Sequence, residues 1–154
     1  MQNTHDLEAL GGALIDLVGF LNSPQRDTAL LREAQVEIDR ALFPLLVAIG
    51  ARGAPTVAEI ADLVGRDSST ISRQLARLNT LALIVRDEDD ADRRRSRTRL
   101  TDRGRAVVEA IGQARRRLLS AALADWNEDD LTVLAGLSRR LVTALADYTV
   151  ALRV

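Results

Sequence analysis

The sequence predicts a mainly α-helical fold, with helices on both sides of one short extended segment, from two observations. Of the 154 residues, 47% are apolar but only 3% are aromatic, a composition that favours a helical core of Leu, Ala and Val over a β-sandwich. Apolar residues also recur with helical spacing through most of the chain, and this spacing gives way to the alternation of a β-strand only after Leu81. The length is sufficient for one well-packed domain.

The N-terminal part is predicted to form two helical segments. The first has an apolar stripe that ends near Pro24 and consists of Leu7, Leu10, Leu14, Leu17 or Val18, and Leu21. The second covers residues 28–51 and contains Pro44, which lacks a backbone N–H and would clash inside a continuous helix. We therefore expect a break or a new helix start between Asp39 and Pro44, and a turn over residues 50–55.

A helix start follows at Thr56. Thr56 and Glu59 have the spacing of a capping box, in which each side chain accepts a hydrogen bond from the other residue's backbone N–H. Gly65 is free to take positive φ and ends this helix. Together with the small Ala61 and the apolar Ile71, it has the spacing of a tight helix-turn-helix.

The second helix of this pair is expected to start with Asp67 or Ser68 as its cap. Ile71, Leu75 and Leu78 recur at i, i+4 and i+7 and predict its buried stripe. The opposite face carries Ser69, Thr70, Arg73, Ala76, Arg77 and Thr80, with Ser72 and Gln74 on the flanks.

That polar face is suited to DNA. Arginine can pair with guanine in a bidentate manner, glutamine can do the same with adenine, and hydroxyls reach bases or phosphates. The small Ala76 would let the helix lie close in a major groove, and the helix N-terminus offers a phosphate site. The candidate contacts on this helix are Ser68, Ser69, Thr70, Ser72, Arg73, Gln74 and Arg77. The alternative is that the two arginines only solvate an exposed helix, as most surface arginines do.

An arginine-rich hairpin is predicted next. Leu83, Ile84 and Val85 form a short apolar run, and within residues 96–100 Arg97 and Arg99 alternate with Thr98 and Leu100. The charged tip between them, DEDDADRRR, can place Arg93, Arg94 or Arg95 along or into the minor groove. Arg97, on the strand that follows, is a further candidate DNA contact. A hairpin beside a recognition helix is a wing, so the whole pattern predicts a winged helix-turn-helix.

The acidic half of this tip would repel phosphate unless its carboxylates face away from DNA or pair with arginines. Asp92 and Arg94 are well spaced for such a pair. A calcium site is the other interpretation of the acidic run, but the loop pattern fails at Ala91 and no glycine follows in register. We therefore predict no metal site here.

The C-terminal third is predicted to form two long helices. Thr101 can cap the first, which continues to about Asp125, and Asn127 can cap the second, whose stripe includes Leu134 and Tyr148. One chain of this length has little core to cover both terminal stripes, which favours a partner subunit over an intramolecular helical bundle. The predicted organisation is a helical dimerisation region, residues 1–38 and 102–154, and a winged helix-turn-helix domain, residues 39–101, with the helix-turn-helix at 56–81 and the wing at 83–100.

Charge is unevenly distributed along the chain. The net charge is −1, but residues 66–105 carry eleven arginines against seven acids. Local positive potential matters more for phosphate binding than net charge does. Cysteine is absent, which excludes disulfides, thiolate zinc sites and thiol-based oxidant sensing.

Several motifs together resemble the MarR family of bacterial transcription regulators (multiple antibiotic resistance regulators). They are the capped helix, S-S-T-I-S-R-Q-L-A-R-L at residues 68–78, and D-x-R-x5-L-T from Asp92 to Thr101. The resemblance implies an obligate homodimer that binds a pseudo-palindromic operator of its own or neighbouring genes, usually as a repressor. It also implies a wing salt bridge between Asp92 and Arg94.

The resemblance further implies release from DNA by a small, often aromatic ligand. In relatives the ligand lies between the dimerisation helices and the winged domain, where this chain could contribute Phe20, Phe43 or Trp126. Because few aromatics are available and such residues more often belong to the core, the ligand-binding residues are left unassigned.

Two other classes of function fit the sequence less well. An enzyme is disfavoured because phosphate-loop, dinucleotide, zinc-protease and nucleophile-elbow motifs are absent, and because His5 is the single histidine. No cofactor is predicted. A winged-helix adaptor for protein partners would have a neutral or acidic recognition face, unlike this one. The N-terminus lacks the features of a signal peptide, and no apolar run approaches the roughly 18 residues of a membrane span, so we expect a cytoplasmic protein.

Overall fold

The computed structural model describes residues 4–87 and 96–151 and is mainly α-helical with one small sheet, as predicted. In chain order its elements are α1 (Thr4–Leu21), α2 (Pro24–Glu33), α3 (Phe43–Arg52), α4 (Val57–Val64), α5 (Ser68–Thr80), β1 (Ile84–Asp87), β2 (Arg97–Leu100), α6 (Asp102–Ala122) and α7 (Glu128–Ala151). The chain separates into two compact units, residues 1–118 and 119–154, each of which is described by itself.

The predicted interruption of the second helical segment is confirmed, and it is longer than expected. The segment begins at Pro24 rather than Thr28, because a proline is well tolerated in a first helical turn. It ends at Glu33, and α3 starts at Phe43 with Pro44 in its first turn. Nine residues, 34–42, therefore connect α2 to α3 without helical structure.

Local hydrogen bonds fix both helices of the helix-turn-helix. At α4 the Thr56 N–H donates to Glu59 Oε2 at 2.7 Å, and the Glu59 N–H donates to Thr56 Oγ1 at 3.3 Å, which completes the predicted capping box. The Thr56 hydroxyl also donates to Glu59 Oε2, at 3.1 Å. The hydrogen bonds from the Thr56 N–H, first, and the Thr56 hydroxyl lower the pKa of the Glu59 carboxyl. Gly65 ends α4 in the left-handed region with φ 66°, and Asp67, not Ser68, caps α5.

The core of the winged domain lies under α5. Ile71, Leu75 and Leu78 have no exposed surface, as their spacing predicted. They pack in one cluster with residues of α3, α4 and β1, among them Leu45 and Ile60. Full burial of a side chain of this size contributes about 1.5–3 kcal/mol, so this stripe fixes which face of α5 points to solvent.

The wing strands form a two-stranded antiparallel sheet in which Ile84 lies opposite Leu100 and Asp87 opposite Arg97. Thr98 is fully buried, and its N–H donates to the Pro55 carbonyl at 3.0 Å. The hairpin is thereby joined to the turn that precedes α4.

The start of α6 is held against the end of α5. The Thr101 hydroxyl accepts the Gly104 N–H at 3.0 Å, as a cap does, and donates to the Ala82 carbonyl at 2.7 Å. Gly104 is buried so close to β1 that a Cβ atom there would lie 2.0 Å from the Leu83 carbonyl oxygen.

The first and last helices differ from the rest in their exposure. No residue of α1 is buried, and the described side chains of α7 are likewise exposed or half-exposed. Asn127 caps α7, with its Oδ1 accepting the Asp130 N–H at 2.8 Å. Within residues 4–87 and 96–151, no helix combines the length and apolarity needed to cross a membrane.

Candidate nucleic-acid interface

The solvent face of α5 carries most of the side chains that the sequence predicted for it. Thr70, expected on this face, is half-buried, and Ser72, expected on a flank, is exposed. Ser68, Ser69, Ser72, Arg73, Ala76, Arg77 and Thr80 are exposed, whereas Thr70 and Gln74 are half-buried on the flanks. This face is polar and carries two arginines one helical turn apart, which suits a helix lying in a major groove.

The N-terminus of α5 is occupied by a carboxylate of the protein itself. Asp67 accepts the Ser69 hydroxyl at 2.5 Å, the Thr70 hydroxyl at 2.7 Å and the Thr70 N–H at 2.8 Å. These bonds, that of the Ser69 hydroxyl first, hold the pKa of Asp67 far below its ordinary range. A phosphate at this helix end, as the sequence suggested, would therefore have to lie beside an ionised acid.

Arg77 is paired with an acid from the connection between α2 and α3. Its Nη2 lies 3.1 Å from Asp39 Oδ2, and both side chains remain substantially exposed. The other Asp39 oxygen accepts the Ala41 N–H at 2.8 Å. That backbone bond, together with the Arg77 guanidinium, lowers the pKa of Asp39. No sequence signal points to this pair, because its partners are 38 positions apart.

Gln74 is also held from outside α5. Its Oε1 accepts a hydrogen bond from Arg66 Nη1 at 3.0 Å, and the same nitrogen lies 3.2 Å from the Ala41 carbonyl oxygen. Bidentate pairing of glutamine with adenine needs this amide oxygen as an acceptor. The base-reading role expected for Gln74 thus competes with its bond to Arg66.

Arg73 is held more weakly than its neighbours. Its Nη2 lies 3.5 Å from Thr70 Oγ1, at the outer limit of a hydrogen bond. The guanidinium is exposed at the middle of the polar face. Arg73 can therefore reorient towards a bound partner at little cost.

Two arginines in the described part of the wing are held by polar contacts. Arg99 Nη2 lies 2.6 Å from Asp87 Oδ1, which fulfils at Asp87 the expectation that wing acids pair with arginines. Arg97 Nη1 donates to the Ala54 carbonyl at 3.0 Å, so this predicted DNA contact also joins the wing to the turn before α4. The predicted contacts Arg93, Arg94 and Arg95 and the predicted Asp92–Arg94 salt bridge lie outside the described residues.

The three aromatics considered for a ligand site have separate environments. Phe43 is buried with Leu31 and Ile111, and Phe20 lies under the Arg26 guanidinium, 3.0 Å from the ring centroid. Trp126 is 46% exposed. A cleft of about 400 Å³ has a different, polar lining of Arg32, Glu33, Ala34, Gln35, Ala110, Gln113 and Arg117. No metal-binding group of His, Asp and Glu occurs in the part of the chain that the structure describes.

Comparisons with known proteins agree on one family. A family model described as MarR family matches residues 38–95, which include the helix-turn-helix and most of the wing. The uncharacterized HTH-type transcriptional regulator YxaD of Bacillus subtilis is 27% identical over 150 residues, covering 96% of this chain and all of that protein.

Solved structures give the same result for the fold. A MarR family protein from Bacillus stearothermophilus matches with a TM-score of 0.78 at 22% identity, over 95% of this chain and 99% of that one. Staphylococcus aureus MarR in complex with salicylate and kanamycin matches with a TM-score of 0.70 at 18% identity, over 92% of this chain and 96% of that one.

Proposed function

The chain belongs to the MarR family of transcription regulators, and from this premise we propose that it binds double-stranded DNA sequence-specifically as a homodimer and represses its own or neighbouring genes. In this proposal α5 lies in the major groove and the wing lies at the minor groove of each half-site. The winged domain, residues 39–101, reads DNA, and the flanking helices, residues 1–38 and 102–154, form the dimer.

One observation carries the DNA-binding part of this proposal. The stripe of Ile71, Leu75 and Leu78 is fully buried, so the opposite face of α5, with Arg73 and Arg77, has to face solvent. We expect Arg73 to read a base, because its guanidinium is weakly held. Arg77, already bound at one nitrogen, is better suited to a phosphate.

The exposed apolar surface of the terminal helices supports the homodimer. Ile15 of α1 is 74% exposed, and Val142 and Tyr148 of α7 are 67% and 64% exposed. Apolar side chains exposed in this number on one helix are costly in water and commonly mark an interface between subunits. The alternative is an intramolecular helical bundle, which would bury these stripes within one chain.

Release by a small acidic ligand is the regulatory part of the proposal. Staphylococcus aureus MarR was solved with salicylate and kanamycin. In this chain Arg32 and Arg117 line the cleft between α2 and α6. Arg117 is already paired with Glu33, because Arg117 Nε lies 2.7 Å from Glu33 Oε1. A carboxylate ligand would have to replace Glu33 there, and Phe20, Phe43 and Trp126 do not line this cleft.

Fluorescence anisotropy tests the function directly. The labelled duplex is the DNA upstream of this protein's own gene, a random duplex is the comparison, and salt is varied. We expect tight binding to the first duplex, with a steep dependence on salt, and weak binding to the second. Addition of salicylate during the same titration tests release. Weak and equal binding to both duplexes would leave two options, an operator elsewhere or a winged helix that serves protein partners.

Arg73→Ala tests the base-reading role in the same assay. Removing a guanidinium that pairs with a base should cost about 1–3 kcal/mol on the operator and much less on random DNA. Arg140→Ala on α7, which removes the same charge outside the winged domain, is the matched control and should change both affinities only slightly. Equal losses on both duplexes for Arg73→Ala would contradict base reading.

A further inference from the structure

The recognition helix is held from one side by the connection between α2 and α3, residues 34–42, called here the α2–α3 connection. Two polar contacts reach it. Asp39 pairs with Arg77, and the Ala41 carbonyl binds Arg66, which in turn binds Gln74. Gln74 and Arg77 are three positions apart on α5 and therefore lie on the same flank of the helix.

The α2–α3 connection is itself firmly anchored, although it is not helical. Leu42 has no exposed surface, and Ile38 packs against both apolar clusters of the described structure. The Val36 N–H donates to the Leu31 carbonyl at 3.0 Å, and the Leu42 N–H donates to the Asp39 carbonyl at 2.8 Å. The groups that it presents to α5 are thus fixed in position before any ligand binds.

The Asp39 carboxylate is placed so that it can hold the Arg77 guanidinium in position. One oxygen is fixed by the Ala41 N–H at 2.8 Å, and the other lies 3.1 Å from Arg77 Nη2. A guanidinium has five N–H donors in a planar fork, so a contact at one nitrogen leaves the others able to donate to a phosphate. Arg77 restrained in this way loses less conformational freedom when it binds than a free arginine would.

Arg66 makes the second contact between the α2–α3 connection and α5. It is half-buried, and a single nitrogen, Nη1, joins the Ala41 carbonyl to the Gln74 amide oxygen. Neither Asp39 nor Arg66 lies on the exposed face of α5. Asp39 contacts Arg77 on that face, and Arg66 contacts Gln74 on its flank.

We propose that Asp39 and Arg66 are positioning residues for DNA binding, through which the α2–α3 connection fixes Arg77, Gln74 and the orientation of α5. This inference rests on the proposed function. It differs from competition, in which Asp39 would neutralise Arg77 and would have to release it before DNA could bind. The two models predict opposite changes in affinity when the Asp39 charge is removed.

Asp39→Asn is the first test, with operator anisotropy as the measurement. Asparagine keeps an oxygen that can accept the Ala41 N–H but removes the charge that holds Arg77. We expect about tenfold weaker operator binding, the scale of one hydrogen bond to a charged group. Asp27→Asn on α2 is the matched control, because it removes the same negative charge without contacting α5. Unchanged or tighter binding by Asp39→Asn, relative to this control, would overturn the proposal.

A double-mutant cycle shows whether Asp39 acts through Arg77. In the Arg77→Ala background, Asp39→Asn should cause no further loss of operator affinity. An equal loss in both backgrounds would show that Asp39 acts by another route. Thermal midpoints of the free proteins, equal to that of the wild type, exclude loss of folding as the cause.

Arg66→Gln tests the second contact independently. It should weaken operator binding more than random-duplex binding, because a shifted α5 loses base contacts before it loses phosphate contacts. Equal weakening on both duplexes would overturn the role of Arg66. If the wild type itself binds neither duplex, the proposed function fails, and the DNA role of both residues fails with it. A wild type that binds the operator, with both variants unchanged, overturns only the positioning inference.

Discussion

At the level of single residues, the polar side chains of α5 are held to different degrees, and this difference separates their roles. Arg77 and Gln74 are bound by groups from outside the helix, whereas Arg73 has a contact of 3.5 Å to its own helix. The Ser69 and Thr70 hydroxyls both donate to Asp67, so these two predicted contacts can offer DNA only the remaining capacity of their oxygens. Sequence spacing shows which residues share a face, but it does not show which of them are already bound.

Gly104 is a residue whose importance the sequence did not reveal. Its missing Cβ allows α6 to approach β1, since a Cβ atom there would lie 2.0 Å from the Leu83 carbonyl oxygen. That oxygen also accepts the Thr101 N–H at 3.1 Å, so it cannot move away without loss of a hydrogen bond. We expect Gly104→Ala to destabilise the protein by about 3 kcal/mol, at the upper end for overpacked sites, as measured by urea unfolding.

Gly112→Ala provides the matched control on the same helix. The nearest atom to a Cβ at this position is a nitrogen of the flexible Arg116 side chain, at 3.8 Å. Because alanine has a higher helix propensity than glycine, this variant should be neutral or more stable by up to about 1 kcal/mol. Similar losses for both variants would show that general strain in α6, and not contact with Leu83, is the cause.

At the level of elements, the start of α5 depends on the charge of Asp67. Hydrogen bonds from the Ser69 and Thr70 hydroxyls and the Thr70 N–H lower its pKa in the folded state below the ordinary value of 3.8. A group with a lowered folded pKa stabilises the fold above its unfolded pKa, and this contribution is lost as the pH falls through the folded value. The difference in Tm between wild type and Asp67→Ala should therefore be present at pH 7 and shrink below about pH 4.

Asp67→Asn serves as the control for that measurement. Asparagine is also a good N-cap, but it does not titrate in this range. The difference in Tm between Asp67→Asn and Asp67→Ala should therefore stay nearly constant with pH. If the difference in Tm between wild type and Asp67→Ala also stays constant between pH 7 and pH 3, the charge of Asp67 contributes nothing to the stability of α5.

Most elements could be predicted because their signals are local. The capping box at Thr56, the positive φ of Gly65 and the stripe of Ile71, Leu75 and Leu78 each depend on residues within one or two helical turns. The length of the break after Glu33 could not be predicted, because it depends on packing of Ile38 and Leu42 against distant helices. The same holds for the Asp39–Arg77 pair, which only the tertiary fold brings together.

At the level of the whole molecule, the terminal helices expose more apolar surface than a monomer would be expected to tolerate. Leu7 and Phe20 of α1 and Leu134 of α7 are each between 44% and 51% exposed, alongside the more exposed Ile15 and Val142. If a second copy covers this surface, folding and dimerisation are linked, and stability has to depend on protein concentration. We expect the thermal midpoint of the wild type to rise with concentration, and sedimentation to show a dimer at micromolar concentrations.

Leu134→Asp and Thr132→Asp test this interface on a single helix. At about 100° per residue these positions lie on nearly opposite faces of α7, with Leu134 on the apolar stripe. Leu134→Asp would place a charge in the interface, so it should shift sedimentation to the monomer and weaken binding to a two-half-site operator far more than to a single half-site. Thr132→Asp introduces the same charge and should remain dimeric. A monomeric wild type, or a Leu134→Asp variant that stays dimeric and binds the full operator normally, would show that the stripe of α7 has another role.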